Sequence, residues 1–149
     1  HDIIYNKCIS NYFFDEYRRS KVTISESTLS MINKGLNIKV DEYLKALDIQ
    51  ENLTSGITHL FSSYDAILSL ATSSSAPLLH EEELPDPSLI WTLAGIPSVV
   101  IPCDVDAEGM PFGIQFVSNK YSDYRLLDTL KQLIIDNLIP SSSISPFNN

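Results

Sequence analysis

A chain of 149 residues with 44% hydrophobic and 19% charged content is long enough to bury one core and is not biased toward disorder. Ten basic against nineteen acidic residues give a net charge of −9, which leaves no basic face to neutralise phosphates and excludes nucleic acid as an expected partner. No apolar run approaches the ~20 residues of a membrane-spanning helix, and His1–Asp2 opens no charged-then-apolar leader, so the expectation is a soluble, cytoplasmic chain with no membrane partner.

In chain order, residues 1–21 read as one amphipathic helix with the apolar stripe Ile4, Cys8, Ile9, Tyr12 and Phe13. Its cations Arg18, Arg19 and Lys21 fall at the C-terminal end, where they favour the helix dipole. Ser25 is the expected cap of a short helix and Gly35 its stop. From about Val40 to Tyr64 a longer helix carries Val40, Tyr43, Leu44, Leu47, Leu53, Ile57, Leu60 and Phe61 on a packing stripe. Asp65 to Ala71 reads as a buried strand, followed by the serine-rich loop Thr72 to Ala76 and Pro77.

The acidic run Glu81 to Glu83 with Asp86 reads as a solvated loop, because adjacent carboxylates point different ways and lack a ligand spacing. Asp86 is the expected cap of a helix that takes Pro87 in its first turn, and Gly95 its left-handed stop. Ile96 to Pro102 and Phe112 to Val117 form the next two strands, paired antiparallel around the polar turn Asp104 to Pro111. The first of this pair is the expected central, buried strand. Ser122 and Asp123 open a last helix whose apolar face is Leu126, Leu127, Leu130, Leu133, Ile134 and Leu138. The fold class is α/β, a few strands with flanking helices, over residues 1–139, with 140–149 a Ser/Pro/Asn-rich tail.

Chemistry is sparse. Cys8 and Cys103 lie too far apart in sequence to suggest a disulfide scaffold and are expected as free, buried thiols. His1, His59 and His80 are too scattered to pair with either. The clustered serines, Ser73 to Ser75 and Ser141 to Ser143, have no neighbouring glycine or lysine to build an oxyanion hole or activate a hydroxyl. None of the five glycines flanks a serine as G-x-S-x-G or GGSSGG requires. No catalytic residue, metal ligand or cofactor site is therefore expected.

The ordered positions Asp86, Pro87, Trp91, Thr92, Leu93, Gly95, Pro97, Pro102, Gly109, Pro111, Gly113, Gln115, Asp123, Leu126 and Leu127 nevertheless form a pattern. It resembles the C-terminal portion of the amidase signature family of serine hydrolases. Tyr64 to Leu68 extend the match upstream as a Y-D-hydrophobic strand, and Gly35, Asp41, Tyr43, Ala46, Leu47 and Leu53 extend it further. The resemblance implies part of a large mixed sheet from a hydrolase that cleaves carboxamides through an acyl-serine intermediate, without metal or cofactor. The serine, serine and lysine that carry that chemistry belong to the family's N-terminal half, and no segment here resembles them.

What the resemblance implies for this chain is part of the core and one wall of the substrate pocket, at Thr72, Leu89 and Trp91. Ser69 to Ser73 keep a threonine but lose the prolines usual after that strand, and Gln50 stands where many members carry Arg. Substrate specificity is accordingly not transferred. The implied partners are a small-molecule amide in the intact protein and, for this chain, the missing N-terminal region or a second copy. The alternative is a non-catalytic binding or scaffolding module derived from the same fold, which a gene starting at this point would favour.

Overall fold

The computed structural model describes residues 1–78, 80, 81 and 84–140, so the acidic residues Glu82 and Glu83 and nearly all of the expected tail lie outside the described residues. The chain divides into two compact units, His1–Leu53 and Thr54–Asn149.

The first unit is helical. α1 (Asp2–Tyr12) and α2 (Phe14–Arg19) replace the single expected helix, broken at Phe13. The hydrogen-bond ladder still crosses the break, since Phe13 N–H donates to Ile9 and Tyr17 N–H to Phe13. Arg18 and Arg19 occupy the last turn of α2 as expected. α3 (Glu26–Asn37) is capped by Ser25, whose Oγ accepts from Thr28 N–H at 3.2 Å.

Gly35 does not stop α3. It lies inside the helix, two residues before its end, and is buried. A Cβ there would stand 2.0 Å from the Asn6 carbonyl oxygen and 2.7 Å from Ser10 Cβ, so α1 and α3 cross with backbone nearly touching backbone. Glycine is required for the approach rather than for its φ. Ser10, 1% exposed, fills the opposite side of the crossing and donates to Lys7 O at 2.8 Å. Lys7 Nζ then donates to Gly35 O and Ile38 O, at 3.2 and 3.0 Å, satisfying carbonyls at the end of α3.

The same crossing overturns part of the expected stripe, in which Ile4, Ile9 and Phe13 are half-buried. α1 turns its small residues inward, so Cys8 is exposed rather than buried and Tyr12 is 79% exposed. α4 (Val40–Leu60) begins in this unit and follows its predicted span closely.

The second unit is a three-stranded sheet in the order β1-β3-β2, with β1 Ile67–Leu70, β2 Ser98–Val105 and β3 Pro111–Val117, all antiparallel. The predicted pairing of the last two strands holds, with Val99 opposite Phe116 and Ile101 opposite Ile114. The predicted central strand does not. β2 is an edge and β3 the centre, because β1 adds to the free side of β3. A hairpin can be read from sequence, but not which of its strands a third one will choose. Pro102 in β2 suits an edge, where a missing N–H leaves no ladder bond unmade.

Alternation in β3 separates two faces. Phe116, with Val99, Ile101 and Ile114, meets Leu126, Leu130 and Leu133 of α6 (Asp123–Ile135), and this cluster is the core. Of the predicted α6 face, Leu127 and Leu138 are 54% and 69% exposed and stay outside it. β1 is likewise not a buried strand, since Leu68 and Leu70 are about 60% exposed on the core side, beyond the reach of α6. The opposite face carries Ser69, Gln115 and fully buried Val117 beside α5 (Leu89–Ala94), which ends at Gly95 in the left-handed conformation, φ +62°, as predicted.

Candidate functional site

The chemistry-bearing residues of the second unit gather where β1 ends. The chain leaves β1 at Ala71, held by a hydrogen bond from its N–H to Gly113 O at 3.4 Å, and enters the run Thr72 to Pro77. Each of the first three hydroxyls of this run closes a bond to a nearby carbonyl. Thr72 Oγ1 donates to Ser74 O and Ser74 Oγ to Ser75 O, both at 2.9 Å, and Ser73 Oγ donates to Pro85 O across the loop. A cleft of about 320 Å³ results, lined by Thr72 to Pro77, Leu84, Asp86 and Pro111.

A second, apolar cleft of about 270 Å³ adjoins it on the sheet face, between Ala71, Thr72, Val100, Pro102, Pro111, Phe112 and Gly113. At Gly113 β3 lies close against β2, because a Cβ there would meet Val100 Cγ1 at 2.7 Å and Ile101 O at 2.8 Å. Thr72 and Pro111 belong to both clefts. A larger depression of about 480 Å³ follows the outer side of α3, but its six lining residues come from that helix alone, so it has no opposing wall.

Two carboxylates frame the first cleft's supports. Asp86 Oδ1 accepts from Ser88 N–H at 2.7 Å, and the Ser88 side chain followed by this backbone bond holds the carboxyl below its ordinary value. That turn, rather than a direct cap, is what Asp86 supplies, because Pro87 and Ser88 intervene before α5 starts at Leu89. Asp106 lies at the β2–β3 turn. The Ser75 hydroxyl and then Met110 N–H hold its carboxyl below the usual range, with smaller contributions from Glu108 and Gly109. Its Oδ1 accepts from Met110 N–H at 2.8 Å and Glu108 N–H at 3.0 Å, and Gly109 completes the turn at φ +80°.

The three pocket residues named from the sequence sit differently. Thr72 lines both clefts. Leu89 opens α5 and is 40% exposed. Trp91 donates its indole N–H to Ser69 Oγ at 3.2 Å, and Ser69 Oγ in turn donates to Gln115 Oε1 at 3.3 Å. This chain of three joins α5, β1 and β3 on the face opposite the core, a short way along β1 from the clefts. Sequence reasoning missed Ser69 and Ser75, for which the only signals are strand alternation and position within the serine run.

Among the described residues no group of three or more His, Cys, Asp and Glu could hold a metal ion, and no helix is long and apolar enough to cross a membrane. Cys103 is half-buried at the β2 bulge, and its thiol donates to Ile101 O at 3.5 Å. In the helical unit the Tyr43 phenol is raised from its ordinary value, first by a hydrogen bond with Cys8 and then by burial.

Comparison with known proteins places these elements. The chain is 31% identical over 94 residues to a glutamyl-tRNA(Gln) amidotransferase subunit of Agathobacter rectalis, covering 57% of this chain and 18% of that protein. Its 29% identity to the corresponding protein of Treponema denticola extends over 139 residues, 87% of this chain and 27% of that one. A solved structure described as an amidase superposes with a TM-score of 0.80 at 18% identity, covering 93% of this chain and 34% of that chain. The chain thus spans between about a fifth and a third of these three proteins. The Amidase family profile matches residues 9–127, from the middle of α1 to the first turns of α6, and the chain belongs to the amidase family.

Proposed function

We propose that residues 1–139 form the C-terminal portion of an amidase-signature hydrolase, with 140–149 a tail, and that the portion supplies core and pocket wall rather than the reacting groups. The intact protein would cleave a small-molecule carboxamide through an acyl-serine intermediate, its serine, serine and lysine contributed from outside this sequence. The observation that carries the reading is the junction of two clefts at Thr72, built on the matched hairpin, in a chain where no glycine flanks a serine in the G-x-S-x-G or GGSSGG pattern. Supporting it, the hydroxyls of Thr72, Ser73 and Ser74 each donate to a backbone carbonyl, so none of the three hands its proton to a histidine or lysine base. Amide chemistry is common to the names of both relatives and the solved neighbour.

Partner contact belongs to the same reading. Leu68 and Leu70 leave apolar surface on an open sheet edge, which the rest of the parent fold or a second copy would cover. The test is to incubate the 149-residue chain with a panel of amides and with a fluorophosphonate probe. No turnover and no saturable labelling are expected, whereas stoichiometric labelling of one serine would show that the chain carries its own nucleophile. The full-length gene product, assayed beside it, should turn over an amide; if it does not, the binding-module alternative stands instead.

A further inference from the structure

α6 carries more apolar surface than the sheet uses. Leu126, Leu130 and Leu133 pack into the core, whereas Tyr124, Leu127 and Ile135 are exposed. At about 100° per residue these three fall within one strip of the helix, about a third of a turn from the core side, and Lys131 stands in the middle of the same strip. Asp128 borders it, close to one turn before Lys131. Neither Lys131 nor Asp128 has an ion pair among the described residues. A helix that packs on one face alone ordinarily turns polar residues outward. This one turns out three large apolar side chains and an unpaired couple of opposite charges.

The spacing of these residues is self-complementary. Asp128 and Lys131 are equidistant from a point of the helix midway between them, and Tyr124 and Ile135 are equidistant from that same point. We propose that this strip is the interface of a homodimer in which α6 of two copies lies antiparallel about a two-fold axis at that point. The axis sets each Lys131 ammonium beside the partner's Asp128 carboxylate and each Tyr124 ring against the partner's Ile135, while Leu127 packs on the methylene stem of the partner's Lys131. Both ion pairs and both apolar contacts follow from one axis, as an isologous contact demands. Parallel helices in register would instead set Lys131 on Lys131 and Asp128 on Asp128. At 1.5 Å per residue the strip is only about 16 Å long, so the contact is smaller than the ~1,200 Å² of a standard interface, and each copy carries a net charge of −9. A weak dimer is therefore expected, half-formed near about 100 µM once salt screens the net charge. It is independent of the hydrolase reading and uses a surface other than the β1 edge.

The experiment is sedimentation velocity of the 149-residue chain from about 10 µM to about 1 mM at about 0.15 M salt, a range that brackets the affinity of a small interface. A reversible monomer–dimer equilibrium is expected. Lys131→Asp and Asp128→Lys should each weaken it about tenfold, because like charges then meet across the axis, and the two together should restore it to within about twofold. Tyr124→Ser should weaken it about tenfold as well, whereas Leu68→Ser on the β1 edge should leave it unchanged. All four positions are exposed or bordering the strip, and unchanged circular dichroism would show that the variants keep the fold. A monomer throughout the range, a dimer indifferent to Lys131→Asp and Tyr124→Ser, a double exchange that fails to restore association, or a dimer lost on Leu68→Ser would each overturn the assignment.

Discussion

The closest contacts of the two units are built by different means, although the helical unit also buries one bulky side chain, Ile32 at 0% exposure. In the sheet unit, bulky side chains do the filling, with Phe116, Leu126 and Leu130 each at most 5% exposed and ringed by Val99, Ile101, Ile114 and Leu133. In the helical unit, the α1–α3 crossing is closed by residues that have almost no side chain, Gly35 and Ser10, with Asn6 backbone between them. Apolar area drives the first. Dispersion between close backbones and the carbonyl bonds of Lys7 support the second. A hydrophobic pattern announces one kind of interface and is silent about the other.

The sharpest break of this comparison is Phe116→Ala, which empties the centre of the sheet core. A loss of about 3–5 kcal/mol is expected, read from urea unfolding with tryptophan emission, because Trp91 is the sole indole and belongs to the same unit. A loss below about 1 kcal/mol would mean that the cluster around Phe116 collapses to refill the space, and that the sheet unit tolerates vacancy as easily as surface.

Next in size is Gly35→Ala, the mirror experiment, which adds one carbon where the other removes several. With Asn6 O only 2.0 Å from the new Cβ the helices must part, at an expected loss of about 1–3 kcal/mol. In a solvent-facing helix the same change would stabilise, since Ala is the better helix former by about 1 kcal/mol. The sign therefore decides. Amide exchange should accelerate in α1 and α3, and a stabilised, unaltered protein would show that the crossing is looser than these distances imply.

These two interfaces also explain what is legible in the sequence. Local devices are: the Ser25 cap, the Gly95 stop, the polar turn and the antiparallel hairpin all depend on residues a few positions apart, and each is found where its chemistry puts it. Gly35 departs from its expected role because a glycine near a helix end has two uses, and only the distant Asn6 reveals which applies. Cys8 departs for the same reason, since a stripe of apolar residues loses its claim on the interior when a tighter contact selects small ones. The edge position of β2 and the exposure of Leu68 and Leu70 depend on β1 reaching β3 across the whole of α5 and β2. Of the candidate site, the place of Thr72 beside the clefts and the carbonyl bonds of the neighbouring hydroxyls depend on how the loop after β1 folds back toward Pro85.

The smallest expected effect tests the polar turn that joins the sheet unit's hairpin to its serine loop. Asp106 accepts from Met110 and Glu108 N–H and bonds the Ser75 hydroxyl, and these bonds favour its charged form and lower its folded pKa. A carboxyl lowered on folding contributes stability that is complete above its unfolded value, about 3.9, and is lost as pH falls through the lower folded value. The window is therefore below about pH 4. There the wild type should lose urea stability more steeply than Asp106→Asn, while at pH 7 the variant should be the less stable of the two. Because both lowered carboxyls, Asp86 and Asp106, belong to the sheet unit, the acid response should first appear as faster exchange at Glu108 to Met110 and Ser75, before α1 and α3 change. Parallel acid slopes in the two proteins would show that the turn holds with a neutral side chain as well as a charged one, and that its donors recognise shape rather than charge.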